Sequence, residues 1–513
     1  MMKINNITKV LLSTAILCAT LVSCSEDTMD KLNENTANPK DVLAKYILTE
    51  VMTSTGFSSI GGDMNTYLSL YVEHETGVHN QFINAERRRG EPSNAATFNN
   101  VWGSIYTTLK DVKIAIDKCS PGGSEEGNPA LGVAQFLAAY NLALLTDMYG
   151  DVPWKEACDY KVSMAPHIDK QEVIYQDIMA YIDAAITNLQ SSASNGLSGQ
   201  DFIYGGDNTK WLKATYALKA RLTMHLLHRS SNVQADMQTV LDCVSKSFTS
   251  AGEQCSLSIY GGSQLNPMFA TFWARYGISA SKSMFDRIVE YGDPRIGRCF
   301  MEPGAQVVFA SADDDRIDLP PNGNPIQQQL VYTNSIFVAA QTAPTHLISY
   351  HEILFLKAEA LFHLNRKDEA KAALKEAVIA GFANLEKNVS DALSSDYWGG
   401  FDIETSAITA EEAGAYFDSS VAPKFDASPL KEIMIQKYIA FWGTNGESVE
   451  TFNDIRRMKA MGNDFYGLKN PNSFPLRTPY GNSDVTANPN VEAAYGKGDY
   501  VYSENVWWAG GSR

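Results

Sequence analysis

The sequence predicts a mainly all-α fold: a superhelix of about four tetratricopeptide-like helical hairpins, carrying long irregular insertions and a few short β-strands. Three observations predict it. Residues 344–381 read as one complete hairpin, three other regions repeat its apolar periodicity in pairs, and the spans between lose that periodicity to Gly, Pro, Asn and aromatic residues.

In the complete hairpin, Leu347, Tyr350, Leu354, Ala358 and Leu361 recur at steps of three and four, behind Pro344 and Thr345 as the expected helix opening. Ala370, Ala373, Leu374, Ala377 and Val378 form the inner face of a second helix, which Gly381 is expected to stop. The turn Asn365-Arg366-Lys367-Asp368 is so short that the helices must run antiparallel. Small alanines let the two backbones approach, and a hairpin of roughly 34 residues of this kind is the tetratricopeptide pattern. One hairpin cannot bury its own face, so further hairpins are required.

Lys3 and Lys9 precede an apolar run, Val10 to Val22, that is too short for a permanent bilayer span, so residues 1–23 read as a signal peptide. The run ends in Leu21-Val22-Ser23-Cys24, which resembles the bacterial lipobox. That resemblance implies that Cys24 becomes the mature N-terminus and carries acyl chains. Ser25-Glu26-Asp27 behind it resemble the signal that sends lipoproteins of Bacteroidetes to the outer cell surface. Polar, turn-rich residues up to 40 read as a tether, and 41–513 as a single domain.

Helical pattern then runs from about Asp41 to Phe57 and from Asp63 to Thr76, followed by a polar, arginine-bearing loop from His79 to Pro92. Trp102, Ile105, Leu109, Val112 and Ile116 pair with Leu137, Tyr140, Leu144 and Met148. Ile174, Ile178, Tyr181, Ala185 and Leu189 pair with Trp211, Leu218, Leu222 and Leu226. From Ser250 to Thr345 the chain is an insertion, with a helix expected over 281–291 and strands near 296–301 and 306–310. A last pair places Ile435, Tyr438, Ile439 and Trp442 opposite Val449, Phe452 and Ile455, and residues 461–513 read as loop.

Charge and cysteines exclude several classes. The net charge is −17, and loss of Lys3 and Lys9 with the signal would make it −19, so the body is a poor ligand for nucleic acid. With Cys18 lost and Cys24 acylated, Cys119, Cys158, Cys243, Cys255 and Cys299 remain. Their odd number, without a CxxC pair, argues against a disulfide framework or a zinc site.

No catalytic constellation stands out, so no catalytic residue and no cofactor is assigned. His351-Glu352 begins like a zinc-protease helix, but Phe355 occupies the second ligand position. Asp313, Asp314, Asp315 and Asp318 resemble a calcium loop only in charge, because its glycine and closing glutamate are absent, and calcium is kept there as the lesser alternative. Arg87-Arg88-Arg89 reads as a solvated charged loop with an anion site as the alternative. Arg456-Arg457, behind Glu447, Glu450 and Asp454, reads as an ion-pair network, and Asp151-Val152-Pro153-Trp154 as a helix exit that is either structural or exposes its indole to ligand.

The order of several landmarks closely resembles the SusD/RagB family of nutrient-binding outer-membrane lipoproteins, in particular its SusD-like second subfamily. They are the lipobox at Cys24, LLTDMYGDVPWKEA (144–157), DKQEVIYQDIMAYIDAAI (169–186) and DFIYGGDNTKWLKATYALKARLTMHL (201–226). YGDPRI (291–296), SYHEILFLKAEALF (349–362), IQKYIAFWGTNGESVETFNDIRR (435–457), FPLRTPYGNSDVTANPN (474–490) and VWW (506–508) complete the set. One departure falls near the end, where a Tyr-Pro step and a glutamate are expected but Pro479-Tyr480-Gly481 and Asp484 stand. The resemblance implies a non-enzymatic, surface-exposed outer-membrane lipoprotein that captures oligosaccharides and delivers them to a SusC/RagA-like TonB-dependent transporter. A peptide cargo is the alternative, and a lipid-anchored hydrolase a more distant one. The resemblance also favours the structural reading of the exit at Trp154.

Ligand contacts vary within that family, so the site is sought in this chain's own chemistry. Sugars present C–H faces beside hydroxyls and need rigid aromatic faces beside amide or guanidinium donors. The insertion supplies Tyr260, Trp273 and Tyr276, and the loop after His79 supplies Asn80, Phe82 and Arg87; these six are the predicted ligand-binding residues. Phe269, Phe272 and Tyr276 also lie at helical spacing, whereas Trp273 falls off that stripe and is expected to be the exposed ring.

Overall fold

A computed structural model describes residues 41–88, 97–302, 306–308, 315–395 and 405–513. Cys24, the signal run and the tether lie outside these residues. Ala44–Arg513 forms a compact unit distinct from Met1–Leu43.

The scaffold is built round α5 (Asn128–Tyr149). The preceding helices are α1 (Ala44–Ser54), α2 (Asp63–Tyr71), α3 (Asn80–Glu86) and α4 (Asn99–Cys119). Long and apolar enough to cross a membrane by composition, α5 is buried throughout, which is the signature of a core helix. It packs between α4 and α6 (Gln171–Leu189), and a Cβ at Gly132 would lie 2.6 Å from Leu189 Cγ, so the close α5–α6 approach depends on glycine there. On α4 the buried residues Trp102, Ile105, Leu109 and Val112 recur at steps of three and four.

Next come α7 (Asn208–His225) and α8 (Val233–Ser245). Asp207 opens α7 by accepting from the Thr209 and Lys210 amides. The sequence pairs the stripe of α6 with that of α7, but α7 has its own return helix in α8, whose buried Met237, Val240 and Cys243 make a short stripe of their own.

The insertion contains α9 (Pro267–Arg275) and α10 (Lys282–Tyr291), the second as expected. α11 (Tyr350–His363) and α12 (Lys367–Leu393) then make the hairpin predicted from its alanines. Two details differ. Thr345–Ile348 is a strand rather than a helix start, and Ser349 caps α11 by accepting from the Glu352 amide at 3.2 Å. Gly381 does not stop α12; a Cβ there would approach Ala440 Cβ to 3.0 Å, so it is the point where α12 crosses a neighbour rather than a terminator. That neighbour is α15 (Pro429–Phe441), reached through α13 (Ala410–Tyr416) and α14 (Ala422–Ala427), and it pairs with α16 (Ser448–Ala460). Residues 461–513 are not all loop, since α17 (Asn482–Ala487), α18 (Pro489–Tyr495) and α19 (Tyr500–Ser503) lie within them. There Asp484, at the point of departure from the family pattern, accepts from Trp102 Nε1 at 2.6 Å and so ties this segment to α4.

The strands are short and all antiparallel. β1 (Glu75–Gly77) pairs with β5 (Ile278–Ala280), β2 (Val152–Pro153) with β3 (Ile168–Asp169), and β4 (Cys255–Leu257) with β9 (Thr345–Ile348). β6 (Phe300–Glu302) lies between β7 (Gln306–Val308) and β8 (Asn334–Ser335). β1 occupies the end of the stretch 63–76 predicted as helix. The exit at Trp154 is structural, as expected: the indole is buried and donates to Asp177 at 3.0 Å. Cys119, Cys243, Cys255 and Cys299 are buried, Cys158 is half-buried, and all five are free thiols.

A network of charges crosses the interior. Arg221 on α7 meets the Glu352 carboxylate through Nε at 2.6 Å and Nη2 at 2.5 Å. His225, one turn on, bridges Glu450 at 2.8 Å and Asp147 at 3.2 Å. Arg457 reaches Glu359 and Asp454, Lys437 reaches Asp454, and His351 reaches Glu447. All are buried. Burial opposes the His225 cation, but Glu450 and Asp147 outweigh it and raise its pKa to about 9. The expected ion-pair network is thus present at Arg457, extended to α5, α7 and α11, with His351-Glu352 spent on these pairs; Arg456 instead donates to Leu476 O and Asn453 Oδ1.

Removing one partner should leave an uncompensated buried charge. Arg221→Met is expected to cost about 3–5 kcal/mol in urea unfolding, and Arg221→Met with Glu352→Leu to recover part of it. Additive losses in the double variant would show that the pair is not coupled.

Candidate functional site

The candidate site forms where α3 and the insertion converge on the C-terminal end of α9. Asn266 starts α9, its Oδ1 accepting from the Met268 and Phe269 amides, with Pro267 in the first turn. Met268, Phe269 and Phe272 turn inward. The helix ends at Tyr276 in the left-handed conformation, and the next residue must be small: a Cβ on Gly277 would lie 2.6 Å from Phe82 Cδ2. The chain then enters β5, pairs with β1, and accepts from the Val78 amide at Gly277 O, 2.8 Å away.

This pairing lays α3 beside the end of α9, where Arg275 Nη1 donates to Gln81 Oε1 at 2.8 Å. Residues 326–331 arrive from the other side and are all exposed. The Gln329 side chain donates to Arg275 O at 2.9 Å, the Gln328 amide to Val78 O at 3.1 Å, and Arg87 Nη2 to Pro325 O at 3.0 Å. Ile326 is 65% exposed, Leu330 46% and Val331 39%, so an apolar tip stands beside these polar groups.

Three non-glycine residues at this junction have left-handed backbones: Asn80 (φ 55°), Tyr276 (φ 45°) and Leu330 (φ 58°). Asn tolerates that region, but for Leu the cost is about 1 kcal/mol or more, and strain of this kind concentrates at ligand sites.

The structure therefore brings together four of the six predicted residues. Asn80 is exposed; Arg87, Trp273 and Tyr276 are half-buried. Trp273 and Tyr276 rings meet edge to face at 5.4 Å, with Phe272 5.9 Å and 5.7 Å from them. Trp273 is more open than Phe269 or Phe272 but is packed on one side rather than standing free. The other two predictions are corrected. Phe82 is fully buried on the inner face of α3, 5.5 Å from Tyr67 and covered by Gly277. Tyr260 is buried, its hydroxyl 2.6 Å from Thr345 Oγ1.

The arginine run is not a solvated loop either. Asn80–Glu86 is helical, Arg88 is buried with bonds to Tyr71 O and Asn472 O, and Arg89 lies outside the described residues, as do Asp313 and Asp314 of the acidic stretch. Among the described residues no group of three or more His, Cys, Asp or Glu is placed to hold a metal ion. Sequence reasoning missed residues 326–331. Their signal was apolar Ile326 and Leu330-Val331 flanking three glutamines, with no helical or strand period.

Beneath the site, Glu86 fixes three segments by accepting from Gly77 N and Gly323 N and lying 3.4 Å from the Asn470 amide. Burial pushes its pKa up to about 7. Glu75 accepts from Ser335 at 2.6 Å and Trp442 Nε1 at 3.2 Å, and burial pushes it up to about 8.

The model of the SusD-like family, described as starch-binding and associating with the outer membrane, matches residues 44–481. The chain belongs to that family. A SusD/RagB family protein from Bacteroides thetaiotaomicron is 49% identical over 92% of this chain and 100% of its own, with a TM-score of 0.88. Two more distant structures share the SusD-like fold alone. A SusD homologue from Bacteroides fragilis is 18% identical (TM-score 0.68; 91% and 100% of the two chains covered), and a chitin-binding protein is 20% identical (0.66; 91% and 99%). No curated protein matches this SusD-like chain.

The two raised carboxyls set a pH dependence for the SusD-like fold. Their stabilising contribution is complete below the unfolded value of 4.5 and is lost as pH rises through about 7 for Glu86 and about 8 for Glu75. The melting temperature is expected to fall over that interval, and Glu86→Gln to flatten the lower part of the fall. A variant with the wild-type slope would remove Glu86 as its source.

Proposed function

We propose that the protein is a cell-surface nutrient-binding lipoprotein that captures oligosaccharides and passes them to a TonB-dependent outer-membrane transporter, without cleaving them. The observation that carries the reading is the α9 terminus, where three left-handed non-glycine residues hold an aromatic pair beside amide and guanidinium groups on an open surface. Membership of a family described as starch-binding supports the choice of sugar, and the chitin-binding protein shows the same fold in a carbohydrate binder.

In this reading Trp273 and Tyr276 offer ring faces or edges to a sugar, and Asn80 and Arg275 donate to hydroxyls. Arg87 acts at one remove, holding Pro325 and hence the exposed tip 326–331. Lipid on Cys24 would keep the binder at the membrane, each buried methylene adding roughly 0.8 kcal/mol. The acidic body accords with a neutral cargo and not with nucleic acid.

Two results test it. Trp273→Ala should weaken binding of a neutral oligosaccharide about tenfold, equivalent to roughly 1–2 kcal/mol, with some loss of melting temperature because the ring is half-buried. Asn80→Gly should weaken binding several-fold at unchanged melting temperature, since glycine accepts the left-handed backbone and removes only the amide. Unchanged affinity in both places the site elsewhere, and cleavage of the sugar by the wild type overturns the non-enzymatic reading.

The wild type should also co-purify with a TonB-dependent barrel from detergent-solubilised outer membrane, and Cys24→Ala should move the protein to the soluble fraction. A variant that still sediments with barrel-free membranes refutes the anchor.

A further inference from the structure

A groove of about 480 Å³ runs along the outer face of α9, within the size range of ligand sites. Its floor is the small-residue stripe Ala270, Thr271 and Ala274, and its far wall is formed by Asp63 and Asn100 from the starts of α2 and α4. Arg275 closes one end. The same arginine donates to Gln81 at the candidate surface, so groove and surface meet at one side chain.

Phe57 forms the lip. It is 40% exposed and sits in the π-helical turn Thr55–Ile60, a rare geometry often associated with function. That turn is pressed inward by glycines. A Cβ on Gly56 would lie 2.6 Å from Leu257 Cδ2, and one on Gly61 would lie 2.4 Å from Gly56 O and 2.9 Å from Thr345 Oγ1. Tyr260, with its hydroxyl held by Thr345, supports the Phe57 ring from 6.3 Å. Phe57 is only partly buried, yet its backbone is held by tight packing, so the exposed part of the ring is held in a fixed place beside the groove.

The chemistry of the groove fits a neutral sugar chain. Phe57 supplies a ring face. Asp63 accepts, its Oδ2 3.3 Å from the Asn100 side-chain amide, while Asn100, Thr271 and Arg275 can donate to hydroxyls. One carboxylate and one guanidinium leave the lining uncharged overall, in a chain of net charge −17 that repels polyanions. The nine residues of α9 rise about 13 Å, longer than a single sugar ring.

We propose that this groove is a second carbohydrate subsite, which holds the part of a neutral oligosaccharide that continues past Arg275 from the α9 terminus, with Phe57 as its stacking face. The proposal rests on the glycan-binding reading and adds a preference for longer chains. Affinity increases with chain length once the sugar passes Arg275, because the extra rings gain Phe57 and the Asp63–Asn100 pair.

Calorimetry on the full mature chain, with paired disaccharides and hexasaccharides of the glucan, chitin, mannan and xylan series, tests it. The hexasaccharide of the recognised series should bind more tightly than its disaccharide. Phe57→Ala should reduce hexasaccharide affinity about tenfold and disaccharide affinity far less. Thr271→Trp, which fills the groove while leaving Phe57 in the sequence, should produce the same chain-length-dependent loss. Wild-type hexasaccharide affinity in both variants, with Trp273→Ala still weakened, overturns the second subsite and leaves the first standing. Binding to none of the four series overturns the glycan reading and this subsite together.

Discussion

The fold depends on how three hairpins that are far apart in sequence are fastened to one another, and the fastening is ionic. Arg221 and Glu352 are separated by 131 residues, and His225 and Glu450 by 225, yet each pair is buried and in hydrogen-bond contact. Apolar faces alone would let neighbouring hairpins slide by a turn at little cost. A buried guanidinium or carboxylate needs its own charged partners in place, so a slipped register would strand a charge in the interior. The network fixes which hairpins meet, and in what register, across a long insertion.

That fixed frame allows the insertion to be irregular. Strand pairs β1–β5 and β4–β9 join insertion residues to elements on either side of it, and α9 is suspended between them. The end of α9 is then crowded by α3 and by residues 326–331, and three left-handed residues absorb the sharp changes of direction. Rigidity gained in the hairpins is thereby converted into a defined surface made from short segments. The same arrangement lets Arg275 line the groove beside Phe57 while donating to Gln81 on α3.

Several sequence expectations failed for related reasons. Gly381 reads as a helix stop, but at a crossing of two helices the absence of a side chain is a packing requirement, and α12 runs on for three more turns. Thr345–Ile348 and Glu75–Gly77 carry helical spacing, yet each becomes a strand because a partner far along the chain offers a free edge. Phe82 and Tyr260 have the chemistry of ligand contacts. Which way they face was decided by a neighbour, Gly277 for the one and Thr345 for the other.

The sequence by itself determined the fold class, the family and most of the helices, though it paired α6 with α7 where α8 is the return helix. Each of these rests on local periodicity or on ordered motifs, and buried faces must recur at 3.6-residue spacing whatever surrounds them. Trp273 and Asn80 were legible as site candidates because their residue types suit sugars and interrupt that spacing. Only the tertiary structure decided that α3 and residues 326–331 meet α9, that Arg275 is shared between two surfaces, and that Phe57 faces outward. Those outcomes depend on strand pairings and ion pairs between residues more than a hundred positions apart, such as Glu75 with Ala280 and Arg221 with Glu352, and no local pattern specifies such a partner.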